Sequence, residues 1–222
     1  MRIVIAGGHG KIALLLAPLL TARGHEVAAL VRNPDHAADV RRAGAVPLVC
    51  DLTEVGGNEL LDAVKGCEAA VFAAGAGPGS TAERKYTVDL GGCVRLAEAA
   101  EETGMRRFLQ ISTVGAGHPP RPRSGEVWAA YIDAKTRAEN DLRERALDWT
   151  IVRPGPLIDS PATGLVTLTR SPIGRREVTR ADVAAVLAAI LPARHTFGTT
   201  LELASGNTPI DQAVVQLADQ AQ

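Results

Sequence analysis

Aromatic side chains are scarce in this 222-residue chain: they make up 3% of it, as two tryptophans, two tyrosines and three phenylalanines. The sequence therefore offers no obvious stacking platform that would identify a ligand. Cysteines are also few. Cys50, Cys67 and Cys93 are isolated, odd in number and without C-x-x-C spacing, which excludes a disulfide framework and reads as buried reduced thiols. The five histidines show no metal-ligand spacing, so no metal site is expected. A formal net charge of −1 and the lack of a long basic block argue against nucleic acid as a partner. No apolar run reaches the roughly 18 residues that span a bilayer, and a strand beginning at Arg2 leaves no room for a signal peptide, so a cytoplasmic protein without a membrane partner is expected. Neither a G-x-S-x-G elbow nor a G-x-x-x-x-G-K-[ST] loop is present, which disfavours hydrolase and kinase chemistry.

What the chain has is an alternation of short apolar runs and helical stretches. Residues are 46% hydrophobic, enough to bury a full core, and no repeat or linker divides them. One domain over 1–222 is expected, with a substrate-pocket portion from about 154 to 222. Strands are expected at Arg2 to Ala6, Val27 to Val31, Pro47 to Cys50, Ala69 to Ala73, Arg107 to Ile111, Trp149 to Val152 and Thr199 to Ala204. Helices are expected from Lys11 to a stop at Gly24, from Asn33 as cap to Arg42, and over Glu59 to Val64, Thr81 to Thr103, Trp128 to Ala146, Arg180 to Leu191 and Ile210 to Ala218. A loop covers His118 to Gly125, and 157–178 reads as irregular. The strands are continuous apolar runs, as a parallel sheet covered on both faces requires. The fold class is α/β: a doubly wound, mostly parallel sheet of about seven strands, with ligands bound beyond the strand C-termini.

The first strand runs into Gly7-Gly8-His9-Gly10 and then into helix-favouring Lys11, Ile12 and Ala13. A strand, a tight glycine turn and a helix N-terminus together suit a pyrophosphate, and Gly7-x-x-Gly10-x-x-Ala13 is a relative of the dinucleotide fingerprint. After the second strand, where an acidic residue would take a ribose 2′-OH, stands Arg32, whose guanidinium fork suits a 2′-phosphate. NADP(H) is thus favoured over NAD(H). Asp51, after the third strand, suits either an adenine edge or a turn of its own.

Tyr131 and Lys135 form Y-x-x-x-K, one helical turn apart on one face. With two tyrosines and four lysines in the chain, chance supplies this spacing about 0.04 times. A tyrosine that exchanges protons near neutral pH needs its ordinary pKa of about 10 lowered by roughly 3 units, and a lysine charge at about 4 Å supplies that order of energy. Ser112 or Thr113, just past the fifth strand, offers a hydroxyl to a substrate oxygen.

These segments resemble the short-chain dehydrogenase/reductase superfamily, specifically its atypical NmrA-like NAD(P)-binding members. The likeness runs through Gly7 to Gly10, Val31 to Pro34, Asp51-Leu52, Ala73-Ala74-Gly75, Ile111-Ser112-Thr113, Tyr131 with Lys135, Ile151 to Gly155, and Arg180 to Ala184. The resemblance implies NADP(H) across the strand ends. Its contacts would be Gly7, Gly8, His9, Gly10, Lys11, Ile12, Arg32, Asn33, Asp51, Leu52, Ala73, Ala74, Gly75, Ile111, Lys135, Pro154 and Gly155, with Leu157 beside the nicotinamide. It implies Tyr131 as acid/base, Lys135 as ribose anchor and charge partner, and Ser112 or Thr113 as the oxygen-orienting hydroxyl. Asp89 stands where many active relatives carry asparagine. The expected activity is hydride transfer to or from a small carbonyl, alcohol or quinone. The alternative is a noncatalytic NADP(H)-binding sensor, and a homodimer or protein partner is compatible with either.

Overall fold

The computed structural model describes residues 1–120 and 125–219; residues 121–124 of the expected His118 to Gly125 loop, and 220–222, lie outside the described residues. The chain opens with β1 (Arg2–Ala6), α1 (Lys11–Thr21), β2 (Glu26–Val31), a 3-10 turn (Pro34–His36), α2 (Ala37–Arg42), β3 (Val46–Val49), α3 (Gly57–Val64) and β4 (Ala69–Phe72). It continues with α4 (Ala82–Arg84), a π-helical segment (Lys85–Gly91), α5 (Gly92–Glu102), β5 (Arg107–Ile111), α6 (Glu126–Arg143) and β6 (Asp148–Pro154). The last part holds β7 (Leu157–Ile158), β8 (Leu165–Thr169), β9 (Val178–Thr179), α7 (Arg180–Ile190), a 3-10 turn (Arg194–Thr196), β10 (Thr199–Ser205), β11 (Thr208–Pro209) and α8 (Ile210–Asp219).

The seven expected strands lie side by side, all parallel, in the order β10-β6-β5-β4-β1-β2-β3. This is an α/β doubly wound sheet of Rossmann type, and the direction of winding reverses between β1 and β4. Alternate residues of each strand enter opposite cores. Ile3 and Ile5 of β1 pack with Leu16 and Leu20 of α1 and Val183 and Leu187 of α7, whereas Val4 packs with Leu60 of α3, Leu96 of α5 and Leu142 of α6. Each such fully buried side chain contributes about 1.5–3 kcal/mol. Among the described residues, no helix is long and apolar enough to cross a membrane.

Two expectations need correction. Residues 157–178 are not irregular throughout: β8 pairs antiparallel with β10, β11 pairs with β8, and the sheet reaches nine strands, while β7 and β9 form a separate parallel ribbon. β8 escapes a search for continuous apolar runs because its residues alternate, with Val166 and Leu168 buried between exposed or half-buried neighbours. The helix expected over Thr81 to Thr103 is broken into α4, the π-helical segment and α5. That wide turn carries Lys85 and Asp89 inward, where both are buried. Single-turn π segments leave little local trace in a sequence and recur at functional sites.

Candidate functional site

A crevice opens at the carboxyl ends of β1, β2 and β4, at the reversal point. Gly7, Gly8, His9, Gly10, Arg32, Asp51, Leu52, Ala73, Ala74 and Gly75 line it together. Its floor is a close crossing of backbones. Gly7 has φ +75°, and a Cβ there would sit 2.6 Å from Ala74 Cα; one on Gly8 would meet the Ala29 backbone at 3.0 Å. These glycines are required by packing before any ligand is considered. Gly10 N–H donates to Gly7 O at 2.8 Å, closing the turn, and Gly10 is the residue that caps α1. No side chain caps this helix end and no acidic residue lies in its first turn. Its free N–H groups and positive dipole end therefore fit a pyrophosphate.

At the β2 side, Arg32 is joined on the crevice wall by His36 and by Arg84 of α4. Arg84 and His36 had no motif to mark them; they reach the site only through the fold. Asp51 Oδ1 accepts from both the N–H and the hydroxyl of Thr53, at 2.8 and 2.7 Å, so half of its carboxylate serves its own turn. Burial works against its charge, but these Thr53 bonds, with Arg32 and Arg84 nearby, hold the carboxyl below the ordinary range. Asn33 does not face the crevice as expected. Its Oδ1 accepts from Asp35 N at 3.0 Å as the cap of the 3-10 turn. His9 is held through Nε2 by Asp39 Oδ2 at 2.8 Å and stacks on His36 with centroids 3.7 Å apart, so its ring is engaged within the protein.

Ile12, Ala73, Ala74, Gly75, Ile111, Ser112, Tyr131, Lys135 and Leu157 line the other end, with Lys85, Asp89 and Trp128. Lys135 is 4% exposed, which for an ammonium demands partners. It donates to Ile111 O at 3.0 Å and pairs with Asp89 Oδ1 at 3.3 Å. Burial alone would pull its pKa down, yet Asp89 and Tyr131 keep it above the ordinary lysine value. Its Nζ is 5.9 Å from the Tyr131 ring centroid, and Lys85 Nζ lies 5.3 Å from the same ring while donating to Gly77 O at 2.8 Å. The expected single lysine at Tyr131 is thus two lysines and a carboxylate. Asp89 Oδ2 also accepts from Ala76 N at 3.0 Å, which ties the π-helical segment to the loop after β4.

The two candidate hydroxyls differ. Ser112, 3% exposed, donates its proton to Glu139 Oε1 at 2.6 Å. Glu139 is itself buried and accepts from Arg153 Nε at 2.9 Å and Arg143 Nη2 at 2.7 Å. A hydroxyl has one proton to give, so Ser112 has none left for a substrate oxygen. Thr113 has one: its hydroxyl reaches only Val114 O at 3.4 Å, beyond good hydrogen-bond length. Glu139 was not singled out from the sequence, although it follows Tyr131 and Lys135 at helical spacing on α6.

Three other expected contacts are placed differently. Gly155 lets the chain pass Arg176, whose carbonyl oxygen would lie 1.7 Å from a Cβ, and its N–H donates to Leu203 O at 2.9 Å. Pro154 ends β6 and its carbonyl accepts from Val114 N at 3.1 Å. Both shape the turn that delivers Leu157 and do not line the crevice themselves. Lys11 reaches across to Asp159 at 2.5 Å, and Asp159 also binds Arg180 at 2.8 Å. The Arg180 to Ala184 segment proves structural: Asp182, fully buried, accepts from Thr163 N, Gly164 N and the Thr179 hydroxyl at 2.9–3.0 Å. No cluster of three or more acidic, histidine or cysteine side chains that could hold a metal occurs among the described residues.

Known proteins resemble this arrangement over nearly its whole length. Residues 7–194 match the NAD(P)H-binding family model. The chain is 33% identical to the uncharacterized sugar epimerase YhfK of Bacillus subtilis, covering 98% of this chain and 100% of that one. Among solved structures, a protein of Bacillus halodurans designated an NAD-dependent epimerase/dehydratase shares 38% identity with a TM-score of 0.89, over 97% of this chain and 99% of its own. A short-chain dehydrogenase/reductase of Veillonella parvula, solved in complex with NADP, shares the fold at 22% identity and a TM-score of 0.68, over 95% and 97% of the two chains.

Proposed function

Because the chain belongs to the NAD(P)H-binding family, we propose that it is an NADP(H)-dependent oxidoreductase of the short-chain, NmrA-like type, acting on a small carbonyl, alcohol or quinone. The observation that carries this reading is the side chain set around Tyr131. The phenol lines the crevice, Lys135 and Lys85 stand within 6 Å of its ring, and Asp89 fixes Lys135 in place. A protein that only sensed the cofactor would have no use for a buried lysine–aspartate pair beneath a tyrosine, since such pairs cost desolvation and add little stability.

Bound nicotinamide supplies or accepts the hydride. The chain's own residues then have three tasks. The uncapped start of α1 and the Gly7–Gly10 turn hold the pyrophosphate, and Arg32 with Arg84 supports a 2′-phosphate, which favours NADP(H) over NAD(H). Thr113 donates to the substrate oxygen. Tyr131 gives its hydroxyl proton to that oxygen in reduction, or removes it in oxidation, while the cations at its ring stabilise the phenolate left behind. Lys135 and Lys85, 5.9 and 5.3 Å from the ring centre, share that stabilisation, and the Asp89 charge beside Lys135 offsets part of it.

The test is single-turnover oxidation of NADPH with a panel of aldehydes, ketones, quinones and a nucleotide sugar, the last because the Bacillus subtilis relative bears the name of a sugar epimerase. The expected result is at least one substrate whose rate falls about 10²–10⁴-fold in Tyr131→Phe with NADPH affinity unchanged. Turnover that survives the substitution at full rate points to direct hydride delivery without the tyrosine, and sinks the acid/base role.

A further inference from the structure

We propose that the cleft next to Tyr131 receives an apolar carboxylic acid, and that Arg175 holds the carboxylate. The proposal names the substrate class of the site read above and rests on that reading only for the position of the reacting end. The cleft, about 350 Å³, adjoins the Tyr131 cavity through their shared Trp128, and runs past Thr113, Val114 and Ile132 to Pro156 and Arg175. Its walls are chiefly hydrocarbon. They include Trp128, whose ring stands 5.4 Å from that of Tyr131 in the adjoining cavity, tilted by 47°.

Arg175 is placed unlike the arginines around it. Arg176 donates to Ser205 O at 2.8 Å, Arg170 to Leu217 O at 2.7 Å, and Arg153 is bound to Glu139. Arg175 instead rests its guanidinium 5.8 Å from the centre of the Trp128 ring, and among the described residues it forms no ion pair. An arginine laid on an indole keeps its N–H edge free and loses little freedom when that edge is used, which suits a bidentate carboxylate. Two other titratable groups line this cleft. Glu202 is 7% exposed and commits Oε2 to Ile173 N at 2.7 Å, and His118 is followed by Pro119 and Pro120, which also line the cleft. Of these groups Arg175 is the cation with its donors available. Hydrocarbon walls with the Arg175 guanidinium on them, and with Glu202 bonded to Ile173 N, match an acid with an apolar body better than a heavily hydrated phosphate dianion.

The experiment is an equilibrium titration with NADP+ present, by calorimetry and tryptophan fluorescence, using 1-naphthoate, 1-naphthamide and 1-naphthyl phosphate as probes. No turnover is required, so the result stands whether or not hydride transfer occurs. Naphthoate is expected to bind wild type at least tenfold more tightly than the amide, and Arg175→Gln is expected to abolish that preference while leaving amide affinity unchanged. Arg175 is exposed, and an unchanged melting temperature verifies that the variant folds. Equal affinity for acid and amide, no measurable binding of the acid, an acid preference that survives Arg175→Gln, or tighter binding of the phosphate ester would each overturn the proposal.

Discussion

At the Arg32 end of the crevice the chain presents backbone N–H groups and cations that line the cleft, whereas at the Tyr131 end Lys135 and Glu139 already have their charge partners inside the protein. The first end is ready for an anion: nothing caps α1, and Arg32 and Arg84 face the cleft. The second end has Lys135 against Asp89, and Ser112 with two arginines against Glu139, all set before a ligand arrives. A surface that binds through its backbone tolerates much side chain change. A surface built on buried pairs does not, because removing one partner strands the other.

The largest expected effect follows from that difference. Lys135→Met leaves the Asp89 carboxylate buried beside methylenes and should destabilise the protein by about 3–5 kcal/mol, read as a shift in the urea midpoint. Adding Asp89→Leu should restore much of the loss. If the single variant unfolds at the wild-type midpoint, the pair is not the structural element proposed for this end. Next comes the comparison of hydroxyls. Thr113→Val should lower kcat by about 10²–10³-fold on any substrate found, while Ser112→Ala should mainly reduce stability, by roughly 1–3 kcal/mol, since it removes one donor from Glu139. The reverse outcome would assign the orienting role to Ser112.

At the other end the effect should appear in affinity alone. Arg32→Ala and Arg84→Ala should each weaken NADPH binding by about 10–150-fold, with NADH binding nearly unchanged and no loss of melting temperature. Equal losses for the two nucleotides would remove the 2′-phosphate assignment.

The same contrast explains what could be read in the chain. Gly7 to Gly10, Arg32 and Asp51 were legible because a strand, a glycine turn and the residue at the next strand's end are local facts, fixed by conformational needs within a few positions. Tyr131 with Lys135 was legible as helical spacing. Asp89 was noticed, yet its contact with Lys135 depends on a π-helical turn and on the packing of that segment against α6. Arg84 and Lys85, adjacent in the chain, and the distant Arg175 carry no motif and reach the crevice and its neighbouring cleft only through the fold, and the role of Glu139 depends on Ser112 and Arg153, which the fold brings to it. The missed β8 has a related cause, an alternating strand sought as a continuous one.

The smallest expected effect probes how the Tyr131 end is held. Leu157 lies in β7, which pairs with β9, and Thr179 of β9 caps α7 together with Asp182. Burial raises the cost of the Asp182 charge, but the Gly164 and Thr163 N–H groups and the Thr163 and Thr179 hydroxyls hold its carboxyl below the ordinary range. A carboxyl with a depressed folded value contributes stability above its unfolded value of about 4 and loses that contribution as pH falls through the folded value. Wild type and Asp182→Asn should therefore differ by on the order of 1–2 kcal/mol near pH 7 and converge as the pH falls through the depressed folded value, where the aspartic acid resembles the amide. Hydrogen exchange should locate the acid-induced loosening in residues 157–165 before it reaches the Gly7–Gly10 turn. Curves that stay parallel through the acid range would mean that Asp182 fixes this end by shape and not by its charge.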